Sequence, residues 1–184
     1  MAKIASPRAR LALVVAVTTP LWASYLVKAY AWRVVLQPGG PLSDATGGHT
    51  PGYGLTATTI TLAYLWLPYM ILPIYAGLDR LPDSLLEASA DLGARAARTF
   101  RSVVIPMVVP AVAAGSIFTF SLSLGDYITV QIVGGKTQLI GNLVYANIGA
   151  ANNLPFSAAL ATIPVVVMVI YLLAVRRSGA LDQL

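Results

Sequence analysis

Few side chains in this sequence are suited to catalysis or metal binding. It has no cysteine, and His49 is the single histidine, so disulfides, thiolate nucleophiles and histidine-rich metal sites are excluded. Residues 134–137 read Gly-Gly-Lys-Thr, like the end of a phosphate-binding loop, but Val130 stands where that motif needs its first glycine. The chain therefore has no ATPase motif of its own, and we predict no metal and no other cofactor.

Asp126 is the acid best placed to recognise a ligand. It lies beside Tyr127 at the end of an apolar stretch, and an ionisable group near hydrocarbon usually has a function. A carboxylate near aromatic faces suits an ammonium group, so Asp126, Tyr127 and Gln131 are candidate substrate-pathway residues. Alternatively, Asp126 only ends a helix and stays hydrated. Other aromatic residues, including Tyr25 and Trp66, are better interpreted as interface anchors or packing residues.

A polar segment, residues 79–102, has the pattern of a helix, a glycine turn and a second helix. Asp83 or Ser84 is suited to cap the first helix, and Gly93 is suited to end it. The second helix carries three arginines at a spacing of three, which places them along one side: Arg95, Arg98 and Arg101.

The first of these helices has the shape of a docking surface. Glu87 and Asp91 lie four residues apart and therefore face the same way. The small residues Ala88 and Ser89 beside them would let a partner's backbone approach closely. The alternative interpretation is an ordinary solvated surface loop.

The elements around this segment are typical of a membrane protein. Of the 184 residues, 57% are hydrophobic and 10% are charged, whereas about a quarter of residues carry charge in soluble domains. Four stretches free of charge are long enough to span a bilayer: residues 11–27, 55–78, 103–124 and 156–175. Residues 138–151 are shorter and more polar, which indicates an interfacial or re-entrant helix. Ala111, Ala114 and Gly115 form a small-residue face suited to close helix packing.

The basic residues indicate the orientation in the membrane. Four spans put both termini and residues 79–102 on one side, with nine of the 12 lysines and arginines, against three in residues 28–54 and 125–155. The positive-inside rule therefore places both termini and residues 79–102 in the cytoplasm. This bias explains the net charge of +5, so we predict no nucleic-acid partner.

The segment resembles a known family motif. Residues 87–89 (Glu-Ala-Ser), Gly93 after three intervening residues, and Pro106 at the end of a Val103-x-Ile105-Pro run resemble the EAA motif of ABC-transporter permease subunits. Ser89, Val103 and Ile105 replace alanine, isoleucine and leucine of similar size. Flanking stretches such as residues 20–36 and 67–94 are similar to permeases of polyamine importers.

This resemblance implies a fold and a set of contact residues. The fold would be an all-α membrane protein, a type I ABC importer permease bundle of about four transmembrane helices. It would form one domain over residues 1–184, with a cytoplasmic coupling helix in residues 79–102, which we name the EAA loop. The residues implied in contact with the ATPase are Glu87, Ala88, Ser89, Asp91, Gly93, Arg95 and Pro106, with Leu92 nearby.

The resemblance also implies a function and partners. The chain would be a multi-pass inner-membrane permease subunit, not an enzyme, that imports spermidine, putrescine or a similar cation. Its partners would be cytosolic ATP-binding subunits, a second permease subunit, a periplasmic substrate-binding protein and the lipid bilayer. Relatives usually have a further pair of spans before the segment resembling residues 11–36, and we expect this pair to be absent here.

Three alternatives remain at this stage. A permease for iron, thiamine or phosphonate would share the same motif. A secondary carrier or channel fragment would need charged residues within its spans, which are nearly free of charge. An anchor or assembly protein would tolerate changes at Gly93.

Overall fold

The structure is a computed structural model that describes residues 6–149 and 152–177. Over these residues the regular elements are all helical, which confirms the predicted all-α class. They are α1 (Pro7–Trp22), α2 (Tyr25–Leu36), α3 (Pro41–Ala45), α4 (Leu55–Asp79), α5 (Asp83–Asp91), α6 (Ala96–Thr99), a π-helical turn (Phe100–Val104), α7 (Ile105–Gly125), α8 (Ile128–Val133), α9 (Ile140–Gly149) and α10 (Leu154–Arg177).

Three of the four predicted spans are confirmed as apolar helices. Three continuous helical stretches are long and apolar enough to cross a membrane: Leu55–Asp79, Ala96–Gly125 and Leu154–Arg177. A fourth candidate is a broken one, formed by Pro7–Trp22 and Tyr25–Ala45, which meet at an angle of 98°. Helices suit this environment because they satisfy every backbone polar group internally, without water.

The first span differs from the single helix predicted over residues 11–27. The helix ends at Trp22 and the next begins at Tyr25, because Ser24 adopts an extended conformation with ψ of 137°. Pro20 lies just before this break and lacks the N–H that a continuous helix would bond to the carbonyl four residues earlier.

The chain divides into two compact units, and each is described separately. Within the described residues, the first unit comprises residues 6–18, 68–119 and 171–177. The second comprises residues 19–67, 120–149 and 152–170.

Small residues allow α4 and α7 to approach closely in the first unit. A methyl group added at Gly77 would lie 2.7 Å from the Ala111 Cβ, and one added at Gly115 would lie 2.9 Å from the Met70 Sδ. Ala111 and Gly115 are buried, so the small-residue face predicted from the sequence is a packing surface.

The close contact at Gly77 gives a prediction about stability. We expect Gly77→Val to lower the thermal stability of the protein in detergent, by about 1–3 kcal/mol, because the added atoms would overlap α7. Gly125→Val is the matched control, since a Cβ at Gly125 meets nothing within 4 Å. Equal melting temperatures for the two variants would contradict the close packing of α4 and α7.

The second unit has an apolar core that positions α8. Ala29 and Leu36 of α2, Ala57 of α4, and Ile132 and Val133 of α8 form one buried cluster. The Gly54 N–H also donates to the Val133 carbonyl, at 3.0 Å, and so joins the start of α4 to the end of α8. The buried cluster and this hydrogen bond therefore fix the position of α8 and of the residues that precede it.

Candidate functional site

Helix α5 of the EAA loop begins at Asp83, directly after a proline. Its N-cap residue is Pro82, with φ of −65° and ψ of 132°, and proline has no side-chain group that could accept a hydrogen bond from the first turn. The prediction that Asp83 or Ser84 is the N-cap residue is therefore wrong, because the non-helical ψ of Pro82 places the helix start at Asp83. Asp83 lies in the first turn, where its charge favours the helix dipole.

Gly93 ends α5, as predicted. Its φ is +74°, in the left-handed region that glycine adopts without penalty. The Gly93 N–H donates to the Ala90 carbonyl at 2.8 Å, and the Ala94 N–H donates to the Ser89 carbonyl at 3.1 Å. These two bonds form a Schellman motif, which satisfies the last carbonyls of the helix and turns the chain sharply.

The tip of the EAA loop presents an exposed apolar side chain among acids. Leu92 is 89% exposed. Glu87, Ala88 and Asp91 are also exposed along α5, and neither carboxylate has an ion pair among the described residues. The four side chains therefore form a surface open to a partner, which we call the docking patch.

The other predicted contact residues of the loop occupy different positions. Ser89 is partly buried, and its Oγ lies 2.9 Å from the Thr99 Oγ1, so it joins α5 to α6. Arg95 is exposed at the N-cap of α6, and Pro106 is exposed in the first turn of α7. Gly93 is exposed between the two short helices.

In the second unit, Asp126 is buried and fully hydrogen-bonded rather than hydrated. It is 7% exposed, and its oxygens accept bonds of 2.7 and 2.8 Å from the Tyr25 hydroxyl. They also accept bonds from the Thr129 N–H at 2.8 Å and the Thr129 hydroxyl at 2.9 Å. Because the Thr129 N–H is in the first turn of α8, Asp126 caps that helix.

Asp126 lies at the edge of an open cleft of about 310 Å³. The Tyr25 and Trp66 rings stack in its wall, with centroids 6.0 Å apart and planes inclined by 20°. Tyr127 also lines the cleft and stacks on Tyr145, with centroids 4.5 Å apart. The remaining lining residues are Ser121, Leu122, Gly125 and Ile128.

The structure thus brings together two of the three predicted substrate-pathway residues. Asp126 and Tyr127 share the cleft, whereas Gln131 is exposed on α8 and does not line it. Tyr25 and Trp66 were interpreted as anchors or packing residues, yet both line the cleft. No local signal marks them, because Tyr25 and Asp126 lie 101 residues apart in the sequence.

The cleft combines one buried carboxylate with walls that are mainly aromatic and aliphatic. Its other polar lining residues are Ser121, Tyr25 and Tyr127, which carry hydroxyl groups, and Trp66, which carries an indole N–H. The described residues contain no group of three or more metal-ligating side chains.

These features define a polytopic, helical membrane protein with a short, exposed helix in its polar loop. The sequence from residue 5 to residue 181 matches the family of binding-protein-dependent transport system inner membrane components. The chain belongs to this family, and the resemblance inferred from the EAA motif is confirmed.

Curated relatives agree with this assignment. The chain is 46% identical over 202 residues to the inner membrane ABC transporter permease protein YdcU of Escherichia coli, with all of this chain covered. It is 32% identical to the spermidine/putrescine transport system permease protein PotB of Haemophilus influenzae, with 98% covered, and 31% identical to PotB of E. coli, with 88% covered. The chain spans 64%, 66% and 62% of these three relatives, which is less than two thirds of their length.

Proposed function

We propose that this chain is the permease subunit of an ABC importer, in which it forms part of a membrane pathway and performs no chemistry itself. Energy would come from ATP hydrolysis on a partner subunit that binds the EAA loop. The observation that carries this proposal is the docking patch on α5, since a helix held at both ends presents Leu92 and two acids to solvent. Family membership supports it.

The docking patch combines one large apolar side chain with two acidic side chains beside it. A large apolar side chain that is almost fully exposed in the free chain releases about 1.5–3 kcal/mol when a partner buries it completely. Glu87 and Asp91 form a polar rim that selects a basic partner surface and speeds association. Because α5 is already ordered, little conformational entropy is lost on binding.

The connections of α5 suit it to transmit a displacement. Asp79 ends α4 only four residues before α5 begins. On the other side, α6 and the π-helical turn lead directly into α7, and the bond between Ser89 and Thr99 holds the two limbs of the loop together. A partner that moves α5 would therefore move the ends of two candidate spans as discrete units.

The proposed setting follows from the charge pattern. With nine basic residues against three, the positive-inside rule would put the termini and the EAA loop in the cytoplasm, on the side of the ATP-binding subunits. A second permease subunit would complete the pathway, and a periplasmic binding protein would deliver the substrate from the other side of the inner membrane.

A pull-down tests the proposed function. The chain in detergent, carrying an affinity tag, is mixed with the ATP-binding subunit encoded by the same operon. We expect retention of that subunit, and stimulation of its ATP hydrolysis by substrate when the complete complex is reconstituted. Absence of retention at micromolar concentrations would overturn the proposal.

We further propose that the substrate is a small organic cation, with spermidine or putrescine as the first candidates. The carboxylate of Asp126 and the aromatic walls of the cleft support a cation. The name of the PotB relatives states a spermidine/putrescine system, whereas the name of YdcU states no substrate. A phosphonate would be repelled by Asp126.

Neutralising Asp126 tests the substrate class. We expect Asp126→Asn to raise the KM for spermidine uptake about tenfold, because the attraction between the carboxylate charge and the ammonium group is lost. The amide oxygen can still accept the Thr129 N–H, so α8 stays capped and the melting temperature stays close to native.

The matched control for this variant is Asp44→Asn, which removes one negative charge from an exposed residue of α3. Uptake by the control should equal that of the native chain. If Asp126→Asn also transports spermidine normally, Asp126 serves only to cap α8, and the substrate proposal fails.

A further inference from the structure

Arg10 reaches from α1 to the last turn of α4. Its Nη2 donates to the Asp79 Oδ1, and its Nε donates to the Tyr75 hydroxyl. The guanidinium carbon lies 5.3 Å from the centroid of the Tyr75 ring. Tyr75 and Asp79 lie four residues apart on α4, so one face of the helix offers both to the same arginine.

The acid in this cluster is also where the EAA loop begins. α4 ends at Asp79 and α5 starts at Asp83, so only three residues separate them. Because this connection is short, a displacement of α5 would also displace Asp79. Arg10, 69 residues earlier in the chain, is bonded directly to that point.

Packing alone does not link α1 to α4 firmly. No residue of α1 is buried over its described length, Pro7–Trp22. A cleft of about 340 Å³ opens beside Tyr75, lined on the α1 side by Pro7, Arg10, Leu11 and Val14. Dispersion contacts are lost across such a gap, and the polar contacts of Arg10 connect the two helices beside it.

We propose that Arg10, Tyr75 and Asp79 form a transmission clamp that makes α1 follow the EAA loop when the partner ATPase closes. This inference rests on the proposed function, because it requires an ATPase docked on the loop. The Arg10 and Asp79 side chains are 33% and 44% exposed, and an isolated ion pair of that exposure contributes little to stability. The added bond and ring contact to Tyr75 restrict the guanidinium to one geometry, so the clamp positions α1 rather than stabilising the fold.

Charge removal and charge exchange test the clamp in the complete complex in proteoliposomes. Arg10→Gln and Asp79→Asn should each lower the spermidine taken up per ATP hydrolysed about fivefold, within the range seen for coupling residues. Retention of the ATP-binding subunit should stay within about twofold of native, since the docking patch is untouched. The exchange of Arg10→Asp with Asp79→Arg should recover most of the lost coupling.

Arg8→Gln is the matched control, because it removes the same charge from an exposed residue of the same helix turn outside the cluster. Coupling in Arg10→Gln equal to that in the control would overturn the proposal. If Arg10→Gln loses both retention of the ATP-binding subunit and spermidine uptake, the proposal is also overturned, because the cluster would then only shape the loop.

A distance measurement separates the clamp from the proposed function. The chain has no cysteine, so spin labels can be placed at Ala12→Cys and Ala76→Cys, two exposed positions on α1 and α4. In nanodiscs, we expect a narrow distribution of distances between the two labels, and a broader one in Asp79→Asn. A broad distribution in the native chain would overturn the clamp, whether or not the ATP-binding subunit is retained. If distances are narrow but the native chain binds no ATPase, the proposed function fails and the cluster is a static brace, which also overturns transmission.

Discussion

Replacing Leu92 by glutamate is expected to weaken binding of the ATP-binding subunit about a hundredfold. The leucine is 89% exposed at the tip of the EAA loop, so a partner would bury nearly its whole side chain. Loss of that burial costs about 1.5–3 kcal/mol, and placing a carboxylate in the same apolar pocket adds a desolvation penalty. Isothermal titration calorimetry of the detergent-solubilised chain with the ATP-binding subunit measures the change in dissociation constant.

Two further variants define the origin of this effect. Leu92→Met keeps an apolar side chain of similar volume and should bind within about threefold of native. Glu87→Lys changes the polar rim on the same helix, so it should slow association and lose less affinity than Leu92→Glu. Equal affinity of Leu92→Glu and Leu92→Met would show that the tip of the loop does not enter the interface.

The second large effect is expected at Gly93. Gly93→Val should lower substrate uptake about thirtyfold, because a β-branched residue at φ of +74° is strongly disfavoured. Avoiding that strain would break the two bonds of the Schellman motif and change the direction in which α5 points. The measurement is uptake in cells, normalised to the amount of chain in the membrane fraction.

Asparagine at the same position provides the control. It tolerates the left-handed conformation better than other side chains, so Gly93→Asn should keep most of the uptake that Gly93→Val loses. A Cβ at Gly93 meets no atom within 4 Å, so the two variants differ in backbone strain rather than in collision with neighbours. Unchanged uptake in Gly93→Val would favour an anchor or assembly protein over a permease.

The helical elements could be predicted because their signals are local. Apolar runs of about 20 residues lead to spans, and the predicted ranges agree with α4, α7 and α10. Gly93 follows a run of helix-forming residues, and its left-handed φ is what that position requires. The spacing of the EAA motif likewise depends only on neighbours in the chain, and the family assignment agrees with it.

Prediction failed at two helix boundaries, where the backbone conformation of a single residue decides the outcome. Asp83 and Ser84 are both common N-cap residues, but the extended ψ of Pro82 makes the proline the N-cap and starts α5 at Asp83. In the first span, hydrophobicity is continuous through residue 27, yet the backbone leaves the helix at Ser24. Hydropathy measures the affinity of side chains for lipid and contains no information on backbone direction.

The sequence by itself determined the class of this protein: an all-helical membrane chain with an EAA loop, whose docking residues are contiguous. Only the tertiary structure decided which distant residues meet. It brings Tyr25 to Asp126 across 101 positions and Arg10 to Asp79 across 69. Such pairs depend on how helices pack, and packing is set by the combined shape of many side chains rather than by any local pattern.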